Sequence, residues 1–250
     1  MEYRFTDNIF LGRNAVIEAI KADAPIDAIW ISRKARGMEK IKFMANERGL
    51  VIKITAEQKL ERFGKNNQGV VALLSAVAYY SLEDILKVSE EKGTKPFFLL
   101  ADGIEDPHNL GALIRTAEAV GMDGLILPKR RSASMTSIIS KTSAGAVSKL
   151  PIARVSNLAS TIDILKSKNI WVYGADMDGE CWCSTSFEGG VALVVGAEGK
   201  GLSRLTRERC DKIISLPMLG QINSLNVSVA GGILMYEMMR QRNGITALNR

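Results

Sequence analysis

Residues 191–203 read Val191-Ala-Leu-Val-Val-Gly196-Ala-Glu198-Gly-Lys-Gly201-Leu-Ser203. The run 191–195 is apolar at every position rather than at every second one, which is the pattern of a strand covered on both faces. Further β-rich runs at 97–101, 124–127, 170–174 and 212–216 alternate with longer helical periods after Pro96. The expected fold class is therefore α/β, an open and largely parallel sheet with helices on each side.

Upstream of Pro96 the rhythm differs. Residues 12–21 and 38–48 read as helices and 26–32, 50–55 and 68–77 as strands, with a turn at Gly64, Asn66 and Asn67. Residues 81–95 are polar and charged, with Ser81 placed as an N-cap and with Gly93 and Pro96 closing the segment, so they read as a helical connector. The expected organisation is a small α/β domain over 1–80, a linker over 81–95 and a larger domain over 96–250, which suits a chain long enough for two cores.

Composition narrows the function. The net charge of +6 and pI near 9.2 favour an anionic partner, most simply nucleic acid. The excess is spread over both halves, and Arg33, Lys34, Arg36, Lys40 and Lys42 cluster around a predicted strand-to-helix turn where a phosphate backbone could be gripped. Lys129, Arg130 and Arg131 form a second basic group. The apolar runs are too short to span a bilayer. Residues 1–10 carry Glu2, Arg4 and Asp7 and no apolar export core, so the expected address is cytoplasmic, with no membrane partner. The three cysteines, Cys181, Cys183 and Cys210, are odd in number and suit a reducing compartment. Cys181 and Cys183 read as a partly buried thiol pair. A zinc site would need further ligands, and His108 is the single histidine, so no metal is expected. A Ser-His-Asp hydrolase would also have to use His108, and no Gly-x-Ser-x-Gly elbow is present.

Ligands in open α/β sheets bind beyond the carboxyl ends of strands, and three strand ends here carry polar residues and glycines. The first leads into Asn109-Leu-Gly-Ala-Leu-Ile-Arg115. Asn109 stands in an N-cap-like place, and Arg115 is more than one turn inside the helix. The second is the glycine-rich turn around Glu198, which is neither a P-loop nor a dinucleotide fingerprint. The third runs Leu216-Pro-Met-Leu-Gly220-Gln-Ile-Asn223-Ser224-Leu225-Asn226 into an apolar helix over 227–239, with Ser224 and Asn226 read in its first turn. Each segment alone could be a cap or a tight turn; three in one sheet are harder to dismiss.

Taken in order, Asn109-Leu-Gly-Ala-x-x-Arg115, Gly196-Ala-Glu198-Gly-x-Gly and Leu216-Pro-Met…Ser224-Leu225-Asn226-Val-Ser-Val-Ala resemble the three motifs of the SpoU (TrmH-type) RNA ribose 2′-O-methyltransferases of the SPOUT superfamily. The resemblance covers 96–242. Gly12-Arg-Asn-Ala-Val-Ile-Glu-Ala-Ile is similar to the opening of the ribosomal-protein-like substrate-binding domain that many of these enzymes carry, and the whole looks most like the bacterial 23S rRNA guanosine-2′-O-methyltransferase branch. The resemblance implies S-adenosylmethionine as methyl donor, a C-terminal trefoil knot, a homodimer with a shared site, and an RNA substrate, rRNA favoured over tRNA. It places Asn109, Arg115, Glu198, Ser224 and Asn226 around the ribose and the methyl, and the backbone at Gly196, Leu216 and Leu225 around the cofactor. Thr142 and Gly145, in a family-like stretch, are expected near the cofactor too.

The reaction implied is an in-line attack of a 2′-oxygen on a sulfonium methyl. Deprotonating a free guanidinium at pH 7 costs about 7–9 kcal/mol. Arg115 is therefore expected to grip phosphate and stabilise oxyanion character, oriented by Glu198 and Asn226, while substrate phosphate or water takes the proton. Two rival classes are a non-catalytic RNA-binding protein, separated by assaying methyl transfer, and a nicotinamide-dependent oxidoreductase, disfavoured by the missing fingerprint.

Overall fold

A computed structural model describes residues 9–75, 77–135 and 137–246. The residues behind the expectation of no export signal, up to Asn8, lie outside the described set, as does Ala76 in the 68–77 strand. The chain divides into two compact units, one of residues 1–78 with 134–138 and one of 79–133 with 139–250.

The first unit holds β1 (Ile9–Leu11), α1 (Arg13–Lys21), β2 (Ile26–Ser32), α2 (Glu39–Glu47), β3 (Ile52–Thr55), α3 (Glu57–Glu61) and β4 (Val70–Leu74). The strands form one sheet in the order β1-β4-β2-β3, with β2 and β3 parallel and the other pairs antiparallel. Val16 and Ile20 of α1 and Ile41 and Ala45 of α2 pack on Ile29, Ile31, Val70 and Ala72, while Leu60, Val71 and Leu73 cover the other face with Trp30 and Phe63. This is the period-2 alternation of a sheet buried on both sides. Asp27, itself buried, accepts a hydrogen bond from the Met135 amide at 3.2 Å, which ties 134–138 to this unit.

The second unit opens with α4 (Leu82–Lys92), whose Ser81 cap and Asp84 form a reciprocal capping box and whose end is closed by a left-handed Gly93. It continues through β5 (Phe97–Asp102), α5 (Pro107–Ala119), β6 (Gly124–Pro128), α6 (Ser137–Thr142, which begins within the first unit), β7 (Ile152–Val155), α7 (Leu158–Ser167), β8 (Ile170–Cys181), β9 (Gly190–Gly196), α8 (Arg204–Arg209), β10 (Lys212–Ser215) and α9 (Val227–Arg242). All six strands are parallel, in the order β10-β8-β9-β5-β6-β7. Phe98, Leu100, Ala192 and Val194 pack with Ile85 of α4 and Ile162 and Leu165 of α7. On the other face Val195 and Leu113 approach Gly231 of α9 so closely that an added Cβ would meet Leu113 at 2.7 Å. The runs 97–101, 124–127 and 191–195 are thus buried on both faces, as their sequence implied, whereas Trp171 of β8 is half exposed and β10 lies at the sheet edge.

The chain leaves β5 toward β6 and leaves β9 toward β10, in opposite directions along the sheet. The ends of these adjacent strands therefore diverge and open a crevice, the position where ligands bind in such sheets. Among the described residues no helix is long and apolar enough to cross a membrane.

Candidate active site

Three loops meet at that crevice. After β5, Asp106 caps α5 by accepting from the His108 and Asn109 amides at 2.6 and 3.2 Å, with Pro107 in the first helical turn. Asn109 is therefore not the cap expected from sequence but a residue of the first turn, its side chain free to act elsewhere. After β9, Gly201 folds back on Ala197 through paired backbone bonds of 3.1 and 2.8 Å. Gly196 must be glycine here, because a Cβ would lie 2.2 Å from the Gly201 carbonyl carbon. The Ser203 amide donates to Asp102 at 2.8 Å, fastening the far end of this turn to β5. After β10 a loop without regular structure leads to Asn226, the N-cap of α9. Ser224 lies two residues ahead of that cap, in the exposed loop and not in the helix's first turn as expected.

The Asn226 side chain joins the three loops. Its Oδ1 accepts from the Ser228 amide at 3.0 Å and the Ser228 hydroxyl at 2.6 Å, and its Nδ2 donates to Asn109 Oδ1 at 2.9 Å and to Glu198 Oε1. One amide thus fixes residues 117 and 28 positions away in sequence.

Two cavities adjoin this cluster. The larger, about 920 Å³, is walled by Gly196, Ile214, Leu216, Pro217, Ser224 and Leu225 among others. Its size falls within the range of small-molecule sites. The smaller, about 690 Å³, is lined by Asp102, Glu105, Asp106, Asn109, Arg131 and Ser203. Both include Glu198. Asp176, at the rim of the larger cavity, pairs with Arg207 at 2.8 Å, and Arg207 also holds Asp178 at 2.9 Å.

The structure brings together Asn109, Glu198 and Asn226, with Gly196, Leu216, Ser224 and Leu225 in the adjoining wall. It does not bring Arg115 to them. Six positions along α5 from Asn109, Arg115 points about 120° away around the helix. It is exposed, lines neither cavity, and has no polar partner among the described residues, so Glu198 and Asn226 do not orient it within one chain. Thr142 and Gly145 also line neither cavity. The Thr142 hydroxyl instead packs against α5, donating to the Pro107 carbonyl at 3.4 Å, where a Cβ on Gly111 would overlap it. Gly145 takes a left-handed turn shortly after. Arg33, Lys34 and Arg36 are exposed in the turn between β2 and α2, Lys129 is half-buried after β6, and Arg130 is exposed.

Sequence reasoning passed over Asp102 and Asp106. Asp106-Pro107 at the start of a helical period was a readable cap signal; the tie from Asp102 depends on strand order and had no local signature. Cys181 is half-buried at the end of β8, and Cys183 is exposed with its sulfur 2.7 Å from that of Cys181. That contact lowers the Cys181 pKa and raises that of Cys183. Among the described residues no group of three His, Cys, Asp or Glu side chains gathers as a metal site.

A family model described as the SpoU rRNA Methylase family matches residues 96–236. A second, RNA 2′-O ribose methyltransferase substrate binding, matches residues 9–80. A Bacillus subtilis (strain 168) protein, YacO, named for the TrmH family of tRNA/rRNA methyltransferases, is 43% identical over 240 residues, covering 94% of this chain and 96% of its own. A Staphylococcus aureus (strain MSSA476) protein named for the same family is 40% identical over 243 residues, covering 96% of this chain and 98% of its own. Among solved structures, the SpoU methyltransferase AviRb from Streptomyces viridochromogenes in complex with the cofactor AdoMet is 25% identical with a TM-score of 0.60, covering 95% of this chain and 91% of that one. The A. aeolicus TrmH/SpoU tRNA modifying enzyme is 28% identical with a TM-score of 0.56, covering 65% of this chain and 84% of that one.

Proposed function

The chain belongs to the SpoU methylase family, also called TrmH, and from that premise we propose that it transfers a methyl group from S-adenosylmethionine to a ribose 2′-hydroxyl of RNA, at a guanosine of 23S rRNA in preference to a tRNA nucleotide. The observation that carries this reading is the Asn226 amide, which joins Asn109 to Glu198 beside two cavities. A methyl transfer needs two ligands held at one point, and this arrangement suits that need better than a single binding cleft would.

The larger cavity fits the methyl donor. Leu216 and Leu225 offer apolar walls, Ser224 and Asn223 offer polar groups, and Gly196 keeps the turn close where any Cβ would block it. When bound, S-adenosylmethionine supplies a methyl on a sulfonium sulfur, and the transfer calls for no metal. Asn109, Glu198, Ser224 and Asn226 would fix the ribose hydroxyls, limiting the approach of the 2′-oxygen to one line. Thr142 acts from behind, by supporting the first turn of α5.

Arg115 is assigned to a phosphate beside the reacting ribose and to oxyanion character at the 2′-oxygen, within the site of a second copy of the chain. Its place on another face of α5 from Asn109, outside both cavities, supports that assignment, and so do Val229, Ile233 and Tyr236, which leave an exposed apolar stripe along α9. The same premise gives residues 96–250 a trefoil knot around the cofactor loops, residues 81–95 the role of a linker, and residues 1–80 the task of holding RNA through Arg33, Lys34 and Arg36, with Lys129 and Arg130 as further contacts. A cytoplasmic address follows from the substrate.

The test is to incubate the protein with methyl-labelled S-adenosylmethionine and total RNA from a strain lacking it, then separate RNA by size. Label in 23S rRNA is expected. Label in tRNA would move the substrate, and RNA binding without label would favour a non-catalytic RNA-binding protein.

A further inference from the structure

The smaller cavity shares with the donor cavity only Ala197, Glu198, Lys200, Gly201 and Val227. Its wall carries four carboxylates, and three are occupied. Asp102 accepts from Ser203, Asp106 caps α5, and Glu198 accepts from Asn226. Glu105 is different: it is exposed to the cavity and has no polar partner among the described residues. The cations of the same wall are Lys200 and Arg131, both exposed, and Arg131 holds a left-handed φ of 57° that is uncommon for a residue with a side chain.

An ionised carboxylate can only accept hydrogen bonds, so the ligand edge that meets Glu105 must donate. Among the four RNA bases guanine alone presents two adjacent donors, N1–H and the N2 amine, on its Watson–Crick edge. Adenine and cytosine each set one donor group beside an acceptor, and uracil sets one donor between two acceptors. Enzymes that work on a nucleotide inside structured RNA commonly take it out of the stack and read that exposed edge.

We propose that the smaller cavity receives the target nucleotide, with Glu105 reading the N1–H and N2 edge of guanine and with Arg131 and Lys200 holding the adjoining phosphates. The proposal rests on the methyl-transfer reading above and adds the residues that choose the base. Glu105 lies four positions before Asn109, so base choice comes from the loop after β5 and ribose placement from the helical turn that directly follows it.

The experiment has two steps. RNA methylated by the full chain is digested to nucleosides and the labelled one identified. Then kcat/KM is measured for wild type and Glu105→Gln on RNA carrying guanosine or inosine at that position, inosine lacking only the N2 amine. The labelled product is expected to be 2′-O-methylguanosine. Wild type should lose about tenfold or more on inosine. Glu105→Gln should fall to that level on guanosine and lose little further on inosine, with S-adenosylmethionine affinity and melting temperature unchanged. A 2′-O-methyl on another nucleoside, or a Glu105→Gln protein that still separates guanosine from inosine as wild type does, overturns the base reading and leaves methyl transfer standing. Absence of transfer by wild type would remove the methyltransferase reading itself, and this proposal with it.

Discussion

Asn226 uses one amide for two purposes, since its oxygen caps α9 and its nitrogen holds Asn109 and Glu198. Substitution can separate them. Asn226→Asp keeps an acceptor for the cap but loses the donor and sets a second carboxylate against Glu198. It should melt close to wild type while methyl transfer falls by about 100-fold or more. Asn226→Ala should lose the activity and also about 1 kcal/mol of stability with the cap. An active Asn226→Asp protein would remove the amide from the mechanism. Arg115→Ala should abolish transfer while changing cofactor affinity less than about tenfold, and Arg115→Lys should also fail, because a point charge does not replace a planar fork. Titration calorimetry beside single-turnover kinetics checks both. At this scale the polar residues at the strand ends were readable from sequence, because polar residues and glycines following apolar runs stand out. What holds them together was not, since the bonds from Asn226 span the order in which strands lie in the sheet, and no local period encodes that order.

Among the elements, those with strong apolar runs or long helical periods were legible and the short or polar ones were not. β5, β6 and β9 fall where their runs placed them. β1 and β7 have three and four residues and α3 has five, too few to establish a period. β8 continues to Cys181, beyond the expected end at 174, because its second half is polar and runs beside β10 at the sheet edge. The α8–β10 junction yields a pH prediction. Burial, aided by Asp211, pushes the Cys210 thiol up from 9.0 to about 12. Between those values the folded chain keeps a proton that the unfolded chain has lost, so this contribution is intact below pH 9 and fades as pH rises toward 12. Thermal melts from pH 8 to 10.5 should show wild type losing stability faster than Cys210→Ala, and parallel losses would contradict the assigned burial effect. The α5 cap is separately testable, as Asp106→Ala should cost about 0.5–2 kcal/mol in denaturant unfolding.

The proposed reaction requires one chain to hold a donor, an RNA and a second copy of itself. Neutralising Arg33, Lys34 and Arg36 together should weaken RNA binding, lower the slope of affinity against salt, and leave S-adenosylmethionine binding unchanged. Fluorescence anisotropy across a salt series reads both quantities, and an unchanged slope would shift RNA selection toward Lys129 and Arg130. Methyl transfer to a ribose 2′-oxygen is read from the chemical identity of the product. RNA labelled by the protein from methyl-labelled S-adenosylmethionine is hydrolysed in alkali, which cleaves only where a free 2′-hydroxyl can attack the neighbouring phosphate. The label is expected in an alkali-stable dinucleotide, and Asn226→Asp is expected to yield none. Label released in mononucleotides, as from a methylated base, would contradict transfer to the 2′-oxygen.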